Sequence, residues 1–345
     1  MDRAPAAESK QAKAAPSRRT SRSLFKIYLE RPELAALVLL VIFIAMFQIR
    51  SQGSFLSVEN LRGVLGLLPE VGMIGVGVTI LMICGEFDLS VGSVFALAPM
   101  LMTILLNDGV SFWLAVPISL SAACLIGLIN GLVTLRFGIP SFITTLGMMF
   151  MARSVTVVIS GGFPPMIPDD APAWIFTKFI GPASIFRLSF IWFLVVAMLA
   201  SWLMASSNLG NWIKATGGHL EAAISMGIPT WRVKVFCFML CAVLAGLAGI
   251  MQVLRLGSPL PSIGQGLELQ AIAAAVIGGA ALTGGIGTVL GAIVGALLIR
   301  VIDNGLIMTQ VDANWFMFAI GFLTILAVIG NTWLRRMARK IKVSS

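Results

Sequence analysis

Ten mostly apolar stretches, each close to the length of a membrane span, follow one another along this chain. Their approximate limits are 33–49, 61–83, 89–106, 111–135, 140–160, 188–205, 234–256, 266–282, 286–307 and 313–331. Roughly 20 apolar residues in helical form cross about 30 Å of hydrocarbon. The pattern predicts an all-α, polytopic integral membrane protein of about ten transmembrane helices. With some runs short or broken by glycine, eight helices plus re-entrant pieces is the other count. Composition agrees: 58% of the residues are apolar and 11% charged, with a mean hydropathy of +0.97. A soluble domain carries about a quarter charged residues.

The net charge is +9 at pH 7, and its distribution says more than its size. Residues 1–31 hold Arg3, Lys10, Lys13, Arg18, Arg19, Arg22, Lys26 and Arg31, and residues 333–345 hold Arg335, Arg336, Arg339, Lys340 and Lys342. Basic residues beside apolar spans mark cytoplasmic ends, and polybasic tails favour anionic lipid headgroups. With ten spans and the N-terminus inside, 17 of the 24 Lys and Arg lie in cytoplasmic segments: 1–32, the turn at Arg136, 206–234 and the C-terminal tail. Both termini are therefore expected to be cytoplasmic. No nucleic-acid-binding pattern lies between the tails, so nucleic acid is not expected as a partner. Residues 1–31, rich in Ala, Ser, Lys and Arg, read as a disordered tail. They are too long and polar for an ordinary signal peptide, and no small-residue cleavage site follows 34–47, which predicts a retained first span. Residues 32–332 form the transmembrane domain, and 333–345 a second basic tail.

Other residue types set limits on chemistry. Cys84, Cys124, Cys237 and Cys241 all sit in apolar runs and read as small buried hydrophobes, neither a disulfide framework nor a metal site. The glycine-rich stretch 278–295 lacks a G-x-x-x-x-G-K-[ST] pattern, so it reads as close helix packing and the chain is expected to bind no ATP in the Walker manner. His219 has no second ligand nearby, so it reads as a surface-contact residue.

Two connections are long. Residues 161–187, stiffened by five prolines, suit a docking or gating element. Residues 206–234 contain Glu221-Ala222-Ala223 and, after three more residues, Gly227. That spacing gives a short helix with a small apolar face, ended by Gly227 and Pro229. Such a helix is either an ordinary connector or a knob for a partner's groove.

Polar residues inside the apolar runs are the remaining candidates. Glu86 and Asp88 sit beside glycines between two spans. They are either pathway or gate groups in a broken helix, or solvated interface groups, with Asp88 capping a helix that begins at Leu89. Arg300 and Asp303, one helical turn apart, are placed to neutralise each other. Arg153 has either an ion-pairing role or a latch role. Asn130, Ser141, Thr144 and Thr145 either meet solute hydroxyls or join helices. Gln265, Glu268 and Gln270, near a broken eighth span, are stronger candidates for solute contact.

These motifs together resemble the ribose-type permease family of binding-protein-dependent ABC importers. Glu221-Ala222-Ala223…Gly227 resembles the coupling motif E-A-A-x-x-x-G. Gly85–Ser93 (GEFDLSVGS) resembles G-x-x-D-L-S-V-G-S, and Gly138–Gly147 (GIPSFITTLG), with Arg153 following, resembles G-x-P-x-F-I-x-T-L-G. Glu268–Ala274 and Ile277-Gly278-Gly279 are similar to E-L-x-A-I-A-A…I-G-G, and Asn304-Gly305-Leu306 closes a series covering residues 35–330. The chain departs from the pattern at His219, where Asn is usual, at Gln270, where Asp is frequent, and at Ala280-Ala281, where hydroxylated residues are usual. These departures leave the solute open.

The resemblance implies a transport subunit rather than an enzyme, in the bacterial inner membrane, importing a monosaccharide or similar small polar solute. It implies a second permease chain, a periplasmic solute-binding protein, and a cytoplasmic ABC ATPase that holds ATP and Mg; no cofactor is expected in this chain. The ATPase would grip Gly218, His219, Glu221, Ala222, Ala223, Gly227 and Ile228. Glu86, Asp88, Ser90, Asn130, Thr144, Gln265, Glu268 and Gln270 are the expected pathway residues. Branched-chain amino acids as solute, and proton-coupled transport through Glu86, Asp88 or Asp303, are the alternatives.

Overall fold

A computed structural model describes residues 33–312 and 314–343; the basic stretch 1–31 lies outside the described residues. The apolar runs become α1 (Glu33–Arg50), α2 (Val58–Ile83), α3 (Val91–Asn107), α4 (Phe112–Phe137), α5 (Ser141–Ile159), α7 (Leu188–Ser206), α10 (Thr230–Leu256), α11 (Leu267–Ile277), α12 (Val289–Met308) and α13 (Trp315–Val343). Seven of these are long and apolar enough to cross a membrane: α1, α2, α4, α5, α7, α10 and α12. Three have shorter apolar stretches: α3, α11 and the 315–330 part of α13. The 161–187 loop carries the short helix α6 (Trp174–Thr177) and a two-residue antiparallel pair, β1 (Phe179–Ile180) with β2 (Phe186–Arg187). Two further helices, α8 (Asn208–Gly218) and α9 (Leu220–Ser225), precede α10. The protein is all-α and polytopic. The basic C-terminal segment continues α13 as far as Val343.

The centre is α10, which packs against α2, α3 and α4. Small residues on its surface allow near backbone contact: Gly249 lies against the Phe95 carbonyl, Gly246 against Ala98 and Ala123, and Gly127 of α4 against Phe238 and Met239. A side chain on Gly127 would come within 2.8 Å of the Met239 Cα. In lipid, where helices gain nothing by hiding from water, this close van der Waals approach holds a bundle together. The exposed faces of α1, α4, α5 and α7 remain rich in large apolar side chains, as a surface in hydrocarbon requires. Cys84, Cys237 and Cys241 are buried and unpaired as disulfides, and Cys124 is partly buried.

Two helices stop inside the bundle. α2 closes at Gly85, whose φ of +91° is open to glycine without strain. The Gly85 N–H donates to Met82 and the Glu86 N–H to Leu81, the paired bonds of a Schellman cap. The chain then runs outside any helix or strand to Ser90 before α3 begins at Val91. The predicted eighth span, 266–282, is likewise shorter than expected. It ends at Ile277, where Gly279 and Ala280 donate to Val276 and Ala275 in the same kind of cap, and a loop follows to Thr288.

Candidate translocation and coupling site

The non-helical segment 84–90 runs beside α5, and α5 supplies partners its backbone lacks. Phe87 N–H donates to the Ser141 hydroxyl at 3.1 Å and Leu89 N–H to the Thr145 hydroxyl at 3.1 Å; further on, the Ser93 hydroxyl donates to the Met149 carbonyl. Between Ser141 and Met149 the helix rises about 12 Å, so α3 starts well inside the bundle.

Asp88 is fully buried. Its Oδ1 accepts from the Ser90 N–H at 2.7 Å and the Ser90 hydroxyl at 2.6 Å. Asn130 of α4 donates to the Ser90 hydroxyl at 2.9 Å. The expectation of a cap on a helix starting at Leu89 is off by two residues. Asp88 instead closes a turn just ahead of α3, and Ser90, in the N-cap position, makes no cap bond of its own. Burial also removes the solvated alternative for Asp88. Glu86, two residues back, is also buried, with its Oε1 2.6 Å from Lys234 Nζ of α10.

A second joint forms where α3 begins. Arg153 of α5 donates to the carbonyls of Pro261 and Ile263 at 2.5 and 2.7 Å and to that of Gly92 at 3.1 Å. Gly92 lies against the Gly264 carbonyl and the Glu268 carboxylate of α11. Glu268 also accepts from the Gly266 N–H at 3.2 Å. Arg153 therefore ties the start of α3 to the segment leading into α11. Gln265 is exposed and Gln270 half-buried on the same approach. Buried oxygens of Asn130 (Oδ1), Thr144 (Oγ1) and Gln270 (Oε1) have no hydrogen-bond partner among the described residues.

Glu70 of α2 carried no clear signal in the sequence, being a single acid inside a long apolar run. It is buried and paired to Arg255 of α10, beside a cavity of about 10 Å³ also bounded by Phe176 and Ser189; that is room for about one water. Arg300 and Asp303 pair as expected, at 3.1 Å.

The 206–234 segment is built from the same caps. His219 precedes α9, and its Nδ1 accepts from the Ala222 N–H at 3.3 Å. The ring takes the capping role for which Asn is the common choice. At the other end Gly227 (φ +78°) closes a Schellman cap: Gly227 N–H donates to Ile224 and Ile228 N–H to Ala223. The E-A-A-x-x-x-G spacing is thus one short helix plus its obligatory C-terminal glycine. α9 presents Leu220, Ile224 and Met226 to the outside, and Met226 is 81% exposed. Glu221 lies in its first turn, and Ala222 is exposed while Ala223 is buried. Just before it, Gly217 lies against the Ile83 carbonyl, and Gly284 and Gly285 pack on Gly217 and Gly218. Gly285 N–H donates to Ile83 at 2.8 Å. The connections that follow α2 and α11 therefore meet at the foot of α9.

A polytopic bundle with two interrupted helices and a short, exposed, doubly capped helix between its halves defines a membrane permease component. The family described as the permease component of the branched-chain amino acid transport system matches residues 60–328. The chain is 33% identical over 298 residues to the ribose import permease protein of Escherichia coli strain K12, covering 86% of this chain and 92% of that protein. It is 31% identical to a xylose/arabinose import permease protein of Sulfolobus acidocaldarius, over 89% of this chain and 86% of the relative. It is 29% identical to an autoinducer 2 import system permease protein of Photorhabdus luminescens, over 93% and 96%. No solved structure matches. The chain belongs to the ribose-type ABC importer permease family.

Proposed function

We propose that this chain is the translocating subunit of an ATP-driven importer for a monosaccharide or a similar small polar solute. It would lie in a bacterial inner membrane with both termini cytoplasmic, beside a second permease chain. α9 is the dock for a cytoplasmic ABC ATPase, which holds the ATP and Mg, and a periplasmic solute-binding protein delivers solute on the 161–187 side. The observation that carries this reading is α9: a helix of six residues, capped at both ends, exposing Leu220, Ile224 and Met226 while its base rests on both helix interruptions. A helix built that way has little to do for the bundle and much to offer a partner groove.

Solute would move past the interruptions, where Glu86, Asp88, Ser90, Asn130, Thr144, Gln265, Glu268 and Gln270 supply polar groups. The buried oxygens of Asn130, Thr144 and Gln270, lacking partners among the described residues, support that assignment, since buried polar atoms ordinarily find one. ATP-driven motion of α9 shifts the population between cavity openings, and no covalent step falls to this chain.

The test is co-purification of a co-expressed ABC ATPase of a ribose-type importer with wild type, Glu221→Arg and Gly227→Arg, followed by uptake of radiolabelled D-ribose, D-xylose and L-leucine. Loss of the ATPase from variants that still insert supports the dock, and pentose uptake the solute class. Leucine uptake alone would assign an amino-acid importer. Uptake with no ATPase bound to wild type would leave proton-coupled transport.

A further inference from the structure

Glu86 is held differently from the rest of segment 84–90. Its neighbours Phe87 and Leu89 are tied to hydroxyls of α5 and Asp88 is locked to Ser90. The Glu86 side chain makes an ion pair to α10, through Lys234 at 2.6 Å, with the two side chains 12% and 13% exposed. Lys234 lies in the second turn of α10, directly after the α9–α10 turn. That turn is short and stiff: Ile228 N–H donates to Ala223 and Thr230 N–H to Ile228. A displacement of α9 therefore reaches Lys234 with little chain in between to absorb it.

The segment on the Glu86 side is the easier one to move. Over 86–90 it has no helix or sheet ladder, so moving it breaks the side-chain bonds to Ser141, Thr145 and Ser90 rather than a run of helical hydrogen bonds. Gly217 against Ile83 gives the same assembly a fixed neighbouring contact, so a shift at α9 pivots there and pulls at Lys234.

We propose that the Lys234–Glu86 ion pair is a latch between α9 and the unwound segment ahead of α3, closed in the resting protein and opened during each transport cycle. This rests on α9 being the ATPase dock. Both residues act by position: they set when segment 86–90 is free to move.

The experiment uses the complete permease–ATPase complex, with Cys84, Cys124, Cys237 and Cys241 replaced by Ala and Glu86→Cys plus Lys234→Cys introduced. A reducible bis-methanethiosulfonate reagent, whose spacer replaces the length of the two lost side chains, is applied to the resting complex and after trapping with ATP and vanadate, and ATP hydrolysis is measured before and after cross-linking. A latch gives rapid cross-linking at rest, about tenfold less in the trapped state as the population shifts, and hydrolysis that is lost on cross-linking and regained with reductant. Equal cross-linking in both states, with hydrolysis unaffected, shows a static strut and overturns the proposal. If the double-cysteine chain does not assemble, the charge swap decides. Glu86→Lys and Lys234→Glu alone should open the latch and raise basal hydrolysis, and together restore the resting level, and no recovery in the swap overturns the latch. Absence of the ATPase from the wild-type complex is a separate result, which removes the dock and the latch with it.

Discussion

Arg255 sets its guanidinium on the carboxylate of Glu70, with Nη2 and Nε 2.5 and 3.2 Å from the same Oε1. Together with Lys234–Glu86, this fastens α10 near both of its ends to α2 and to the segment that continues it. Cutting Glu70 to Ala strands a largely buried guanidinium, and breaking one side of a buried pair costs about 3–5 kcal/mol. Because the Arg255 side chain keeps 20% exposure, the lower part of that range is expected for Glu70→Ala. Asp303→Ala breaks a pair one turn apart on α12 whose acid is 27% exposed, and should lose less than about 1 kcal/mol. Unfolding midpoints in detergent compare the two, and equal losses would refute the ranking.

Arg153 offers a second prediction, because its three partners are carbonyls spread over two segments. The planar guanidinium reaches all three, whereas one ammonium cannot match that fork. Arg153→Lys should keep insertion but lose part of the stability, and Arg153→Met should lose more, at about 1–3 kcal/mol for each buried acceptor left unsatisfied. Protease accessibility of the 258–266 segment should rise in the same order. A Lys variant as stable as wild type would show that charge alone suffices.

Adjacent glycines at the foot of α9 should behave oppositely. A methyl on Gly217 would overlap the Ile83 carbonyl and lie 2.9 Å from Gly285 N, whereas one on Gly218 meets only Gly285 Cα, at 3.8 Å. Gly217→Ala should therefore destabilise by about 1–3 kcal/mol, the usual range for overpacking, and Gly218→Ala should be tolerated. Thermal midpoints and membrane yield of the two variants provide the check. A harmless Gly217→Ala would mean that the three segments part easily.

The apolar runs disclosed the fold because hydrophobic length is a local property: ten runs became ten helices, with ends mostly within a few residues. Two of the misjudged edges share one cause, while the run ending at 331 stops short because the charged residues after it continue the helix to Val343. Runs 89–106 and 266–282 were read through residues that are apolar but not helical, and Leu89, Ala280 and Ala281 sit in connections set by Gly85 and Gly279 rather than by hydropathy. The short helix α9 is legible for a similar reason, since a capped short helix needs its glycine at a fixed distance. What stayed hidden depends on partners far apart in the chain. Nothing near Glu70 in sequence announces Arg255, 185 positions on, and nothing near Glu86 points to Lys234. Arg153 looked like half of an ion pair because a lone charge invites an opposite one. Its hydrogen-bond acceptors are backbone carbonyls, which sequence does not mark.

The substitution at 219 permits the most direct test of how α9 is held. Asn, Asp and Ser are favoured before the first turn of a helix because a short side-chain oxygen can accept a free backbone N–H. His219 performs that task with Nδ1, which requires the neutral ring carrying its proton on Nε2. The helix it caps has six residues, so one terminal bond is a large share of what orders it, since short helices are marginal without outside support. His219→Asn should keep the cap, and His219→Ala should remove it at about 0.5–2 kcal/mol. Because a dock must be formed before it can be gripped, that loss should reappear as about 2- to 30-fold weaker ATPase binding. Amide exchange over residues 220–225 should quicken in the Ala variant and stay near wild type in the Asn variant. If the Ala variant exchanges no faster, the order of α9 comes from Gly227 and the contacts beneath it, and the residue at 219 is then free to vary.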